Sequence, residues 1–109
     1  MPYDEPLAER IHDLIGGRRG LTDKRMFGGI AFLLHGNMCC GVVRDRLMLR
    51  LGPEGAAAAL GESHTEPMDF TGKPMKSMIY VLPAGYESDQ ALASWVEKAF
   101  AFAKTLPPK

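Results

Sequence analysis

The sequence predicts an α+β fold of two layers, in which helices pack on one antiparallel sheet in the order α-β-β-β-α-β-β-α. Three observations support this. Apolar runs rich in β-forming residues are interrupted at His35-Gly36-Asn37 and Arg44-Asp45-Arg46, where tight reversals fit. One amphipathic helix precedes this meander, and a long helix ends the chain. The length of 109 residues predicts a single domain over residues 1–109.

The first predicted helix starts at Asp4, whose side chain is suited to cap the free amides of the first turn. It ends at Gly16-Gly17, because glycine readily adopts the left-handed conformation beyond a last turn. Between these points one apolar stripe follows helical spacing, formed by Leu7, Ile11, Leu14 and Ile15.

The three strands that follow obey a simple alternation of faces. In the third strand we expect Leu47 and Leu49 to face the core, with Arg50 reaching solvent. Cys39 and Cys40 are neighbours in the second strand, so we expect their side chains to point to opposite faces and their thiols to remain reduced.

The motif that opens the first strand is Met26-Phe27-Gly28-Gly29. Paired glycines at such a place indicate a bulge, a bend or the close approach of another backbone. A phosphate-binding loop is not predicted, because such a loop needs a helix N-terminus after it and a β-type run follows instead.

The second half of the chain predicts a short helix over residues 55–60, a short strand near 68–70 and a clear strand over 77–82. Ser88 is expected to cap the last helix. Trp95 lies on its apolar stripe, and Phe100 and Phe102 fall at the two edges of that stripe, so the core can cover one ring more easily than both.

The titratable residues predict no enzyme, no metal site and no cofactor. The histidines fall in three separate elements and the two cysteines diverge across a strand, so no recognised metal-ligand spacing exists. Glu66 and Asp69 lie in an irregular segment that does not place them as an acid–base pair.

Charge and hydropathy limit the partners. Lysine plus arginine number 13 and aspartate plus glutamate number 13, so the formal net charge is zero and no overall field attracts nucleic acid or an anionic membrane. No apolar stretch approaches the ~20 residues of a spanning helix, and the first residues do not resemble a signal peptide. We therefore expect a cytoplasmic protein with no membrane contact and no strong direct nucleic-acid binding.

Two groups of side chains are candidates for contact with another molecule. The first is basic and surrounds the loop before the first strand, where it could touch an acidic partner. The second is aromatic, because the ring left partly exposed on the last helix could anchor a protein partner or a second copy in a homodimer. The candidates are Arg18, Arg19, Lys24, Arg25, Phe100 and Phe102.

The chain resembles the N-terminal domain of the TfoX/Sxy family, bacterial regulators associated with natural competence. The resemblance covers most of the sequence and rests on Arg25-Met26-Phe27-Gly28-Gly29, Gly36-Asn37-Met38, Asp45-Arg46-Leu47, Met75 through Tyr80 to Pro83, Leu92 and Trp95. It implies a two-layer α+β fold similar to the secretion-chaperone-like group. Full-length regulators of the family look like two-domain proteins with a second, helical domain of the helix-hairpin-helix kind. Because this sequence stops at Lys109, we expect a stand-alone N-terminal domain.

The resemblance favours a non-enzymatic regulatory or protein-interaction module whose partner is a protein such as a transcription regulator. The alternative is a small-molecule-binding domain or weak enzyme that uses an apolar pocket between sheet and helix. A largest pocket with polar groups and methionines in its lining would favour that alternative, the methionines being Met26, Met48, Met68 or Met78.

Overall fold

The computed structural model describes residues 3–26, 28–70 and 73–108. These residues form four helices and six strands. Their order is α1 (Glu5–Ile15), β1 (Leu21–Met26), β2 (Gly29–Leu34), β3 (Asn37–Val43), β4 (Arg46–Arg50), α2 (Gly52–Ala59), β5 (Thr65–Phe70), β6 (Lys73–Val81), α3 (Pro83–Tyr86) and α4 (Asp89–Lys104).

The six strands form one open antiparallel sheet in the order β1-β2-β3-β4-β6-β5. Helices α1, α2 and α4 pack on it, so the predicted α+β class with helices on an antiparallel sheet is confirmed. Within the described ranges, no helix is both long and apolar enough to cross a bilayer.

The structure adds an edge strand, β1, to the predicted meander. Lys24 and Arg25 are predicted to lie around a loop before the first strand, but residues 21–26 pair with β2 from Leu21 opposite Leu34 to Met26 opposite Gly29. The sequence pattern does not indicate this strand, because its middle residues are polar on both faces and all of them are exposed. The short helix α3 is a second addition, and it begins at Pro83, where proline was expected to stop the preceding strand.

The helix boundaries follow their capping residues. Asp4 Oδ1 accepts a hydrogen bond from the Leu7 amide at 3.1 Å, and Ser88 Oγ accepts one from the Ala91 amide at 3.0 Å, as predicted. Helix α1 ends at Ile15, and the capping residue Gly16 has the right-handed conformation, with its amide donating to the His12 carbonyl at 2.7 Å. The prediction of a left-handed conformation at this helix end is therefore wrong.

The main core lies between the helices and one face of the sheet. Leu47 and Leu49 are fully buried there, as the alternation predicts, and Trp95 of α4 is 7% exposed. The Trp95 indole Nε1 donates to the Gly85 carbonyl at 3.2 Å, which satisfies its polar atom at the edge of this core.

A second, smaller cluster lies on the opposite face of the sheet. Met48 falls between Leu47 and Leu49 in β4, so its side chain points away from the helices. It packs with Met68 and Met78, and all three are buried. These three methionines therefore do not line a space between sheet and helix.

The expected divergence of Cys39 and Cys40 is wrong. The register between β2 and β3 shifts by one residue: Phe32 faces Cys40, Leu33 faces Met38, and Cys39 is left as a bulge. A bulge interrupts the alternation, so both side chains lie fully buried in the main core. Both cysteines are free thiols in this structure.

The glycine pair acts through a turn and a close approach, as its position predicted. Gly28 has a φ of 73° in the turn between β1 and β2, a conformation that suits glycine. At Gly29 a side-chain carbon would collide with the carbonyl oxygen of Val42 in β3. Phe27 of the same motif lies outside the described residues.

Candidate functional site

Arg18 lies in the loop between α1 and β1, and its side chain reaches across to α4. The Arg18 guanidinium donates to Glu97 Oε1 at 2.8 Å and makes a second hydrogen bond from Nη2 to Glu97 Oε2. The same guanidinium lies over the ring of Phe100, 4.5 Å from its centroid. One arginine is therefore held at the same time by a carboxylate and an aromatic ring.

Helix α4 brings these contacts to one place, because positions three or four residues apart share a helix face. Glu97, Phe100 and Lys104 follow that spacing. The Lys104 ammonium lies 5.9 Å from the Phe100 centroid, so the half-buried ring has a cation near it from both the loop and its own helix. We call the group formed by Arg18, Glu97, Phe100 and Lys104 the α4 patch.

The electrostatics of the α4 patch are consistent with a fixed ion pair. The hydrogen bond from Arg18 lowers the pKa of the Glu97 carboxyl, with a smaller contribution from the charge of Lys104. The same hydrogen bond raises the pKa of Arg18. The partner ion therefore stabilises the charged form of each group at neutral pH.

Phe102 occupies a different environment from Phe100, although both rings are half-buried. A side-chain carbon at Gly52, the first residue of α2, would lie 2.5 Å from Phe102 Cε1, so the ring fills the space that this glycine leaves. The Arg50 guanidinium lies 5.9 Å from the Phe102 centroid. Phe102 thus packs between two elements, whereas Phe100 packs against the main core beneath a surface ion pair.

The other predicted basic residues do not gather around Arg18. Arg19 is exposed in the loop, and Lys24 and Arg25 are successive residues of β1 whose side chains point to opposite sides of the sheet. Met26, the last residue of β1, is half-buried. The six interaction candidates therefore form one compact group, around Arg18 and Phe100, and several separate positions.

An acidic groove lies between α1 and the first two strands, and sequence reasoning missed it. Glu5, Glu9 and His12 line one side of this cavity of about 200 Å³, and Asp23 of β1 lines it near Ile30 and Phe32. The spacing of Glu5, Glu9 and His12 on one helix face was a usable signal. The contribution of Asp23 could not be foreseen without the strand β1.

Two further cavities bear on the alternative of a methionine-lined pocket. The larger, about 570 Å³, lies beside α4 near His64, Trp95 and Lys98, and its lining contains no methionine. The smaller, about 390 Å³, is lined by Met38 and Met78 together with Arg50, Lys76 and Ser77. The larger of these two cavities therefore lacks the methionines that would favour a small-molecule site.

Across the described ranges, no three histidine, cysteine, aspartate or glutamate side chains converge closely enough to hold a metal ion. The cysteines lie buried in the core, and His12 lines the acidic groove. The surface of the described protein therefore carries an ion pair stacked on an aromatic ring, an acidic groove and an exposed sheet edge formed by β1.

The fold defines a small α+β protein with helices packed on one antiparallel sheet. Its α4 patch combines charged side chains and an aromatic ring at the surface. The model of the TfoX N-terminal domain matches residues 13–103, which include the six described strands and all of α4 except its last residue. The chain therefore belongs to the TfoX N-terminal domain family. No curated protein matches it.

Proposed function

We propose that this chain is a non-enzymatic regulatory module that binds a protein partner through the α4 patch. The observation that carries the proposal is the Arg18 guanidinium, held by Glu97 over the ring of Phe100. Arginine and aromatic side chains contribute most of the binding energy in many protein interfaces. An arginine whose position is already fixed loses less conformational freedom on binding than a free one.

The chemistry of the α4 patch favours a partner with an apolar group surrounded by acidic residues. Phe100 supplies a partly exposed ring, and Arg18 and Lys104 supply positive charge close to it. Exposed Arg19 lies next to Arg18 in the loop. Membership of the TfoX N-terminal domain family supports a transcription regulator as the class of partner.

Direct binding to DNA is not part of the proposal. The net charge is zero, and Lys24 and Arg25 point to opposite sides of β1, so the basic side chains form no stripe along a duplex. We expect no sequence-selective complex at sub-micromolar protein in a gel shift at moderate salt. Such a complex with the isolated chain would contradict this expectation.

The experiment compares capture of partners by the wild-type chain and by two serine variants. Phe100→Ser removes the ring beneath Arg18, and Phe102→Ser removes a ring of the same size packed against Gly52. We expect Phe100→Ser to abolish capture of a specific protein from the native cell extract. Because this ring also packs against the main core, the variant should melt below the wild type, and capture is compared at a temperature at which it is folded. Phe102→Ser should lower the melting temperature and, where folded, retain capture.

Arg18→Ala provides the second arm of this test, because it removes both the ion pair and the stacking cation and leaves Phe100 in place. We expect it to weaken capture as Phe100→Ser does. If both variants capture the same proteins as the wild type in the same amounts, the α4 patch is not the interaction surface.

A further inference from the structure

The two outer strands of the sheet differ in how well their free edges are protected. β5 contains Pro67 and loses its regular register with β6 between Pro67 and Asp69. Proline and register irregularities are features that prevent an edge strand from pairing with another chain. β1 has neither: it contains no proline, and its six residues pair with β2 in unbroken register.

The backbone groups of β1 that face outward can be assigned from one hydrogen bond. The His35 amide donates to the Gly20 carbonyl at 2.8 Å, so Gly20 bonds toward β2. In an antiparallel pair every second residue bonds to the neighbouring strand. Asp23 and Arg25 therefore direct their amides and carbonyls to the free edge, whereas the Leu21 amide donates to the Arg18 carbonyl at 3.2 Å.

We propose that β1 pairs antiparallel with β1 of a second copy of this chain, about a two-fold axis at Lys24, so that the two six-stranded sheets join. In this register Asp23 of each copy lies opposite Arg25 of the other, and both residues have outward backbone groups that can bond. A two-fold axis normal to the sheet keeps the helices of both copies on one side. The inference goes beyond the proposed function, because it uses β1 and not the α4 patch.

Charge complementarity selects this occupant and this register. Asp23 lines the acidic groove with Glu5 and Glu9, and Arg25 lies two residues further along β1 on the same face of the sheet. Each copy would therefore bring an arginine to the acidic groove of the other. An axis at Asp23 would instead place two aspartates opposite each other, which is unfavourable.

The cost of the chosen register falls on Lys24, which meets its own copy at the axis on the other face of the sheet. Lys24 is exposed, so both ammonium groups stay in water, and their long side chains can diverge. This repulsion weakens the dimer but does not remove the two Asp23–Arg25 pairs.

The experiment measures the molar mass of the full chain by sedimentation at low salt, over protein concentrations from about 1 μM to 1 mM, a range that covers weak to moderate dimers. The wild type is expected to pass from monomer to dimer as concentration rises. Asp23→Arg and Arg25→Asp each place like charges opposite each other twice, and each should raise the dissociation constant about tenfold or more.

The double variant Asp23→Arg with Arg25→Asp exchanges the two charges, so opposite charges meet again and the dimer should return. Arg19→Asp is the matched control, because it makes the same charge change outside β1 and should leave the dimer intact. Circular dichroism melts check that all variants fold, which is expected since both exchanged side chains are exposed.

Three results would overturn the proposal. The first is a monomer at every concentration, which would mean that the edge of β1 does not pair with a second copy and is open to an extended segment of a different protein. The second is a dimer that neither single variant weakens, and the third is failure of the folded double variant to restore it. Phe100→Ser should not alter dimerisation, so loss of partner capture and loss of the dimer remain separate outcomes.

Discussion

Arg18 and Glu97 lie 79 positions apart in the sequence, and their side chains meet in a two-point ion pair that ties the loop after α1 to the middle of α4. Both side chains are partly exposed, and solvent weakens such pairs, so we expect the pair to contribute less than about 1 kcal/mol to stability. Its larger effect is to hold the Arg18 guanidinium over Phe100.

The first prediction concerns acid. The pKa of Glu97 is lowered in the folded protein, so its contribution to stability is present above the ordinary carboxyl pKa of 4.5 and is lost as the pH falls through the folded value. Glu97→Gln should therefore melt slightly below the wild type at pH 7, and the difference should shrink in acid. Glu54→Gln, at an exposed position of α2, is the control. A difference that grows in acid would contradict the prediction.

The second prediction concerns alkali. The Tyr86 hydroxyl donates to the Asp45 carbonyl at 2.6 Å, and burial, with the nearby charges of Asp4 and Asp45, raises its pKa to about 12. Because the folded pKa exceeds the ordinary value of 10, this stabilising contribution is present below pH 10 and is lost as the pH rises toward 12. We expect the wild type to lose stability over that interval.

Tyr86→Phe provides the comparison for the alkaline range. It removes the hydrogen bond to Asp45, at a cost of about 1 kcal/mol near neutral pH. Its stability should then depend less on pH between 10 and 12 than that of the wild type. Ultraviolet absorbance of the phenolate should show one additional tyrosine that titrates near pH 12 in the wild type and is absent in the variant. Equal alkaline behaviour of the two proteins would be inconsistent with a raised pKa at Tyr86.

The third prediction concerns Trp95, which packs in the main core and donates to the Gly85 carbonyl. Trp95→Ala leaves a cavity between α4 and the sheet and should cost about 3–5 kcal/mol, enough to unfold a domain of ordinary stability. Trp95→Phe, which keeps an aromatic ring, should cost less. Ser94→Ala at the neighbouring exposed position should change the melting temperature little. Chemical denaturation checks all three, and a small loss for Trp95→Ala would show that the helix is loosely packed.

The fourth prediction concerns the thiols. Hydrogen bonding by Cys39 and burial raise the pKa of Cys40 well above its ordinary value, so little reactive thiolate exists at neutral pH. A thiol reagent should react slowly with the native protein and should titrate both cysteines after denaturation without reductant. Recovery of neither thiol after denaturation would mean that the pair had been oxidised.

Helices α1 and α4 could be predicted closely because their signals are local. Asp4 and Ser88 mark two helix starts by side chains that cap amides only three residues away, and those bonds are present. The strand β1 could not be predicted in the same way. Its middle residues Thr22, Asp23, Lys24 and Arg25 are exposed, so no alternation of apolar and polar residues marks it.

The candidate site could be predicted only residue by residue. Arg18 and Phe100 were each singled out, but for different reasons, and their contact depends on a loop and a helix far apart in the chain. The prediction for Cys39 is wrong for a different reason: strict alternation places its side chain on the wrong face, because a bulge shifts the register by one residue. Such a shift depends on how β3 pairs with β2, and the sequence of β3 alone does not record it.

The order of strands in the sheet also has a consequence for how the chain folds. β1, β2, β3 and β4 are joined as consecutive hairpins, so their pairing closes only short loops. β6 reaches β4 only after the chain has passed through α2 and β5, which makes it the more distant partner. We therefore expect the first four strands to assemble early and the docking of the β5–β6 hairpin against β4 to limit the folding rate.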